Sequence, residues 1–237
     1  HHTTPWLTER HGYDPTLVGH THLGHGPKAP VQGYFAQENG WDRLLDDIQL
    51  LRQETEQAYP GVPYFLLGHS MGSFLVRCYL TEHGEGLRGA VLSGTGWFGT
   101  GPVKAGLALT SLLCALGQGK KPAALVNKLA FGSSNKAFAP SRTDYDWLSR
   151  DAAQVDKYVA DPHCGFLFTA AGYRDMFRGL DRLRHLDELK KMPKRLPVYF
   201  FGGDQDPVGG MGTGVQEGGG EVRVTGNTCK RGETYGR

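Results

Sequence analysis

Long apolar runs are missing from this chain: no charge-free stretch of its 237 residues reaches the ~20 apolar residues of a membrane-spanning helix, so no transmembrane segment is expected. The opening residues, His1-His2-Thr3-Thr4-Pro5-Trp6-Leu7-Thr8-Glu9-Arg10, lack the basic start and apolar stretch of an export signal. Charge of one sign is also scarce. With 26 Lys and Arg against 24 Asp and Glu, the formal net charge is +2, and no nucleic-acid partner is expected. Cysteine is rare and scattered: Cys78, Cys114, Cys164 and Cys229 form no C-x-x-C pair and read as ordinary reduced thiols. Neither a metal site nor a disulfide framework is expected, and a cytoplasmic setting follows.

What is present suits one large α/β domain. Apolar residues make up 39% of the chain, with 11% aromatic, enough to build a sizeable core. Short apolar runs at 16–21, 62–67, 87–92 and 196–201 read as strands. Between the first pair, Trp41 to Ala58 places apolar residues at 41, 44, 45, 48 and 51, the period of an amphipathic helix closed by Tyr59-Pro60-Gly61. Ser73 to Glu82 continues with helical spacing after the second run. Strands alternating with helices predict a parallel sheet covered on both faces. From Trp97 to about Met192 no strong strand appears; 105–116, 144–158 and 173–191 are helix candidates, so this segment reads as a helical insertion. The end differs again: 12 of the 36 residues from Gly202 to Arg237 are glycine, and only 221–224 suggests a short strand.

One motif carries chemistry. Phe65-Leu66-Leu67-Gly68-His69-Ser70-Met71-Gly72-Ser73 is a G-x-S-x-G sequence between an apolar run and a helix. That is the context of a nucleophile elbow, in which a strained strand-to-helix turn projects the serine hydroxyl above the sheet. The structure-only alternative is a glycine-rich turn with no chemistry. Gly68 and Gly72 are expected where a Cβ would collide with strand or helix. The N–H of Met71, at the positive end of the following helix, would supply one oxyanion donor. His69 reads as a packing residue. The loop after the last predicted strand, Gly202-Gly203-Asp204-Gln205-Asp206-Pro207, lies where open α/β sheets carry functional residues.

These stretches together resemble the monoglyceride lipase and bacterial lysophospholipase branch of the α/β-hydrolase superfamily, grouped with serine aminopeptidase-like hydrolases. The resemblance rests on "THLGHG", "GYFAQENGWDRLLDDI", "YPGVPYFLLGHSMGSFLVR", "VLSGTG", "FAPSRTDYDWLSRD", "DPHCGFLFT" and "LPVYFFGGDQDPVGG", spanning roughly residues 17–212. It implies an α/β-hydrolase fold with a mostly parallel sheet, a helical cap, and no cofactor. The implied parts are a first core segment with the elbow at 1–96, a cap at 97–192, and a last core segment with the acid loop and glycine-rich tail at 193–237. The implied activity is hydrolysis of a small lipid or ester substrate through an acyl-enzyme on Ser70, with Asp206 as the triad acid. The apolar cap helix at 105–116, with Trp97 and Phe98, would shelter an acyl chain or simply form cap core.

Two features depart from the family pattern. The family's histidine follows its aspartate, but all ten histidines here precede Asp206, the last being His185. His163 and His185 fall in the cap segment, and nothing in their spacing sets them between Ser70 and Asp206. His11-Gly12 imitates an oxyanion loop but lies close to Gly24-His25-Gly26. A fold incomplete at both ends is therefore expected. The same residues also allow a second reading, a non-catalytic lipid- or ester-binding homologue.

Overall fold

The computed structural model describes residues 24–26 and 29–211. The predicted strands at 16–21 and 221–224, and His11-Gly12, lie outside the described residues. Helix α1 (Gly40–Ala58) leads into strand β1 (Phe65–His69) and helix α2 (Met71–His83). Strand β2 (Gly89–Ser93) follows, then helix α3 (Thr100–Leu113) with a wider π-type turn, Cys114–Gln118. Helices α4 (Ala124–Phe131), α5 (Ala152–Ala160), α6 (Ala170–Arg182) and the short α7 (Leu186–Leu189) precede strand β3 (Val198–Phe201). The strands pair in parallel in the order β1-β2-β3, with Leu67 opposite Val91 and Val91 opposite Tyr199.

Each strand starts two or three residues later than its apolar run. Pro63 and Pro197 have no N–H to give the ladder. The first cross-strand bonds therefore use carbonyls, from Arg88 N–H to Tyr64 O (2.9 Å) and from Ala90 N–H to Pro197 O (3.0 Å).

Strand alternation divides the sheet cleanly. Leu66, Gly68, Ala90, Leu92, Val198 and Phe200 share the face toward α2 and belong to, or pack against, the main buried cluster apart from Gly68, which is itself buried. The opposite face carries Phe65, Leu67, Val91, Tyr199 and Phe201, and Leu67 is 67% exposed. Among the described residues only the face toward α2 is packed.

On α1, Trp41, Leu44 and Leu45 are buried as the spacing predicts, and Ile48 packs beside them. Arg52, on the same helix, is buried too. Its guanidinium donates to His83 O (2.7 Å), Glu85 O (2.8 Å) and Glu56 Oε1 (2.9 Å), tying α1 to the end of α2. Arg52→Ala would leave those carbonyls without their charged donor, and thermal melts should show a loss of about 2 kcal/mol or more.

Between β2 and β3 the described chain is helix and turn, apart from one isolated antiparallel bridge between Pro122 and Thr169. The predicted helix at 144–158 is broken. The Asp146 carboxylate collects the Thr143 N–H (3.0 Å) and hydroxyl (2.7 Å) to build a tight turn. Helix α5 then starts afresh from Asp151, whose side chain accepts the Ala153 N–H (2.9 Å). Likewise 173–191 splits into α6 and α7. Helix α6 starts at Thr169, whose hydroxyl accepts the Gly172 N–H (3.1 Å) and donates to Gly33 O (2.8 Å). Its Ala170, Tyr173, Met176 and Leu180 enter the same buried cluster as α1 and α2, so the helical insertion and the sheet share one core.

Candidate active site

The elbow is built by backbone bonds around Ser70. Its N–H continues the ladder to Ser93 O on β2 (2.9 Å). Its carbonyl accepts the Ser73 N–H (2.8 Å) and the Ser73 hydroxyl (2.6 Å), which opens α2. Between those demands Ser70 is held at φ 51°, ψ −121°, a conformation a side chain rarely adopts. A Cβ on Gly68 would meet the Gly72 carbonyl, with its carbon at 2.7 Å and Ser73 Cα at 2.8 Å, so strand and helix approach too closely for any larger residue. Gly72 is a correction. A Cβ there would meet nothing within 4 Å, because Gly72 lies within α2 and its open side faces away from the strand. Met71 is the first residue of α2, so its N–H belongs to the set that a helix start leaves without intrahelical partners.

The second carboxylate loop follows β3. Asp206 is fixed by its own turn: Oδ1 accepts the Val208 N–H (2.9 Å), its N–H donates to Gly203 O (3.2 Å), and its carbonyl accepts the Met211 N–H (2.9 Å). Its other oxygen, Oδ2, turns toward the end of β2, where a Cβ on Gly94 would stand 3.5 Å away. The Gly94 N–H donates to Phe201 O (2.9 Å), so the ends of β2 and β3 are joined beside the acid loop.

His69 departs from its expected packing role. Period-two alternation along β1 places it on the exposed sheet face, where its Nδ1 lies 3.1 Å from Ser93 Oγ. A Cβ on Gly94 would be 3.2 Å from its ring, so imidazole and Asp206 carboxylate flank the same glycine. His163 and His185 are exposed; the His163 N–H bonds Asp161 (2.8 Å), and the His185 ring lies 3.8 Å from Asp181.

Trp97 and Phe98 lie between α2 and the helical insertion. Phe98 is half-buried against the core and meets Phe74 edge to face at 5.7 Å, and Trp97 covers the buried Arg77 guanidinium at 5.5 Å. A cleft of about 300 Å³ opens elsewhere, lined by Asn39, Trp41, Asp42, Asp175, Arg178 and Arg182, and neither Ser70 nor Asp206 contributes to it. Burial there raises the Asp175 carboxyl, against Arg174 and Arg178 at 3.3 and 3.4 Å, which lower it. We read that cluster as a tie between α6 and the start of α1.

Cys78 lies on the buried side of the elbow helix α2, where burial pushes its thiol up to about 11. At pH 8 about one part in a thousand would be thiolate at that value. Peptide mapping after iodoacetamide treatment of the native chain should find Cys78 unmodified while the half-buried Cys114 and Cys164 are alkylated.

A family model described as serine aminopeptidase, S33, matches residues 6–217. Mouse (Mus musculus) monoglyceride lipase is 29% identical over 197 residues, covering 80% of this chain and 55% of its own. The human (Homo sapiens) monoglyceride lipase is 27% identical over 194 residues, with the same coverage. The chain thus spans about half the length of the curated relatives it matches. Among solved structures, a thermostable carboxyl esterase from Bacillus coagulans, crystallised with glycerol, aligns with a TM-score of 0.72 at 28% identity over 83% of this chain and 64% of its own. A soluble variant of monoglyceride lipase from Saccharomyces cerevisiae aligns with a TM-score of 0.54 at 19% identity, over 79% of this chain and 58% of its own, a likeness of fold.

Proposed function

Because the chain belongs to the serine aminopeptidase S33 family of α/β-hydrolases, we propose that it is a serine hydrolase of carboxylic esters, of monoacylglycerol lipase or lysophospholipase type. The observation that carries this reading is Ser70 at φ 51° between β1 and α2, a strain that a mere connecting turn would shed by placing glycine there.

In this reading Ser70 Oγ attacks the ester carbonyl carbon, the alcohol leaves with a proton, and water then hydrolyses the acyl-enzyme. The Met71 N–H donates to the developing oxyanion, aided by the positive end of α2. Asp206 would orient and stabilise the histidine that takes the Ser70 proton. Within these 237 residues no histidine follows Asp206. The second reading is a lipid- or ester-binding homologue without turnover.

A fluorophosphonate probe separates the two. Labelling of the folded chain that vanishes in Ser70→Ala supports the hydrolase; a folded, unlabelled chain supports the binding protein. Turnover is a distinct measurement. Loss of a triad member typically removes several orders of magnitude in rate. The 237-residue chain should therefore hydrolyse short p-nitrophenyl esters far more slowly than a full-length relative, and brisk Ser70-dependent turnover would show that the base comes from elsewhere.

A further inference from the structure

Arginine keeps its proton at any ordinary pH, so a buried guanidinium is a charge that needs an opposite one. Arg52 and Arg182, both largely withdrawn from water, have theirs. Arg52 bonds Glu56 at 2.9 Å, and Arg182 pairs with Glu82. Arg77, in the middle of α2, is the exception. It is 4% exposed, and its guanidinium makes one hydrogen bond among the described residues, to Gly96 O at 3.1 Å. The Trp97 ring covers it at 5.5 Å. A carbonyl and a ring face attract a cation, but neither carries a charge. Burial pulls Arg77 below the ordinary arginine value, with only the Cys78 thiol acting the other way and no carboxylate.

The space beside that guanidinium suits an ion. A cavity is lined by Arg77 on α2, by Gly96 and Trp97 in the loop after β2, and by Leu183 and Arg184 just beyond α6. It offers about 10 Å³, room for one water or one monatomic ion. No Asp or Glu lines it. Arg184 donates to Phe98 O (2.8 Å) and lies 3.7 Å from Asp181, so Arg77 is the charge left unanswered. A metal cation has the wrong sign for this site. Phosphate, sulfate and carboxylates are too large for it. A water would bring a dipole where a whole charge is lacking.

We propose that this cavity binds chloride, or another halide of similar size, as the counter-ion of Arg77. Seated there, the ion joins α2 to the loop after β2 and to the end of α6, where the sheet and the helical insertion meet. Gly96 also backs on the acid loop, since a Cβ on it would lie 2.5 Å from Val208 O. The halide takes no part in Ser70 chemistry, so the site stands or falls separately from the hydrolase reading.

Thermal melts of the full chain in sodium chloride against sodium gluconate, at one ionic strength, test it. Chloride at about ten times its dissociation constant should raise the melting temperature by about 3 °C or more. Bromide should act likewise, whereas gluconate is too large to enter. Arg77→Met keeps a similar volume without the charge, and its melting temperature should no longer depend on halide. Crystals grown in bromide should show an anomalous peak beside Arg77 and Trp97. Equal melting in chloride and gluconate, or a halide effect that Arg77→Met retains, would overturn the proposal. A bromide peak with no halide effect on melting would mark an adventitious ion only, and a halide effect with no peak in the cavity would place the ion elsewhere; either overturns it too. If Arg77→Met does not fold, the halide series and the bromide peak on the unmodified chain decide together.

Discussion

Gly68→Ala should break the elbow, and Gly72→Ala should not. At Gly68 the added methyl has nowhere to go, because its nearest neighbours are the Gly72 backbone and Ser73 Cα at 2.8 Å, atoms that move only if α2 moves away from β1. Helix α2 is buried from Ser73 to Thr81, so such a shift would disturb the packing of Phe74, Tyr79 and Leu80 as well. Overpacking of this kind costs about 1–3 kcal/mol and sometimes more, and each kcal/mol lowers the melting temperature by about 2–4 °C in a domain of this size. The fluorophosphonate label on Ser70 should be lost with it. At Gly72 the methyl enters open space within a helix. Alanine there should raise stability by up to about 1 kcal/mol through helix propensity, with labelling retained. Paired melting and labelling experiments check both. Equal losses in the two variants would mean that the glycine spacing, and not the approach of strand to helix, sets the turn.

Ser70→Gly is expected to stabilise the protein while abolishing its reaction with the probe. At φ 51°, ψ −121° serine carries a conformational cost of order 1–3 kcal/mol that glycine largely escapes. Glycine also makes the unfolded chain more flexible, which offsets part of the gain. A net rise of about 1 kcal/mol is the expected outcome, seen as a higher melting temperature. Ser70→Ala serves as the reference. It removes the hydroxyl but keeps a Cβ in the strained turn, so labelling is lost with no such rise. If glycine and alanine melt alike, the turn is not strained and the elbow loses its main physical support.

Much of this was legible in the order of the residues. Helix α1 was readable because Trp41, Leu44, Leu45 and Ile48 repeat at the spacing of one helical face, and burial needs no more than that face. The elbow was readable because an apolar run, two glycines around a serine, and a helical pattern follow one another without a gap. What the tertiary structure decided lies in contacts between segments far apart in the chain. Gly68 and Gly72 look equivalent in sequence, yet backbone crowds only the first, since crowding depends on the angle at which α2 leaves β1. His69 looks like a spacer beside the serine. Its ring comes to flank Gly94 opposite Asp206 only because β2 lies between β1 and β3. Trp97 and Phe98 allow acyl-chain shelter or cap core in sequence, and only the structure sets them against Arg77 and Phe74. The stripe from Ala105 to Leu116 is visible as helical period in the sequence, but period does not say which side faces inward. Packing of α3 on α6 settled that by taking Val103, Gly106 and Thr110 and leaving Leu112 and Leu116 in solvent.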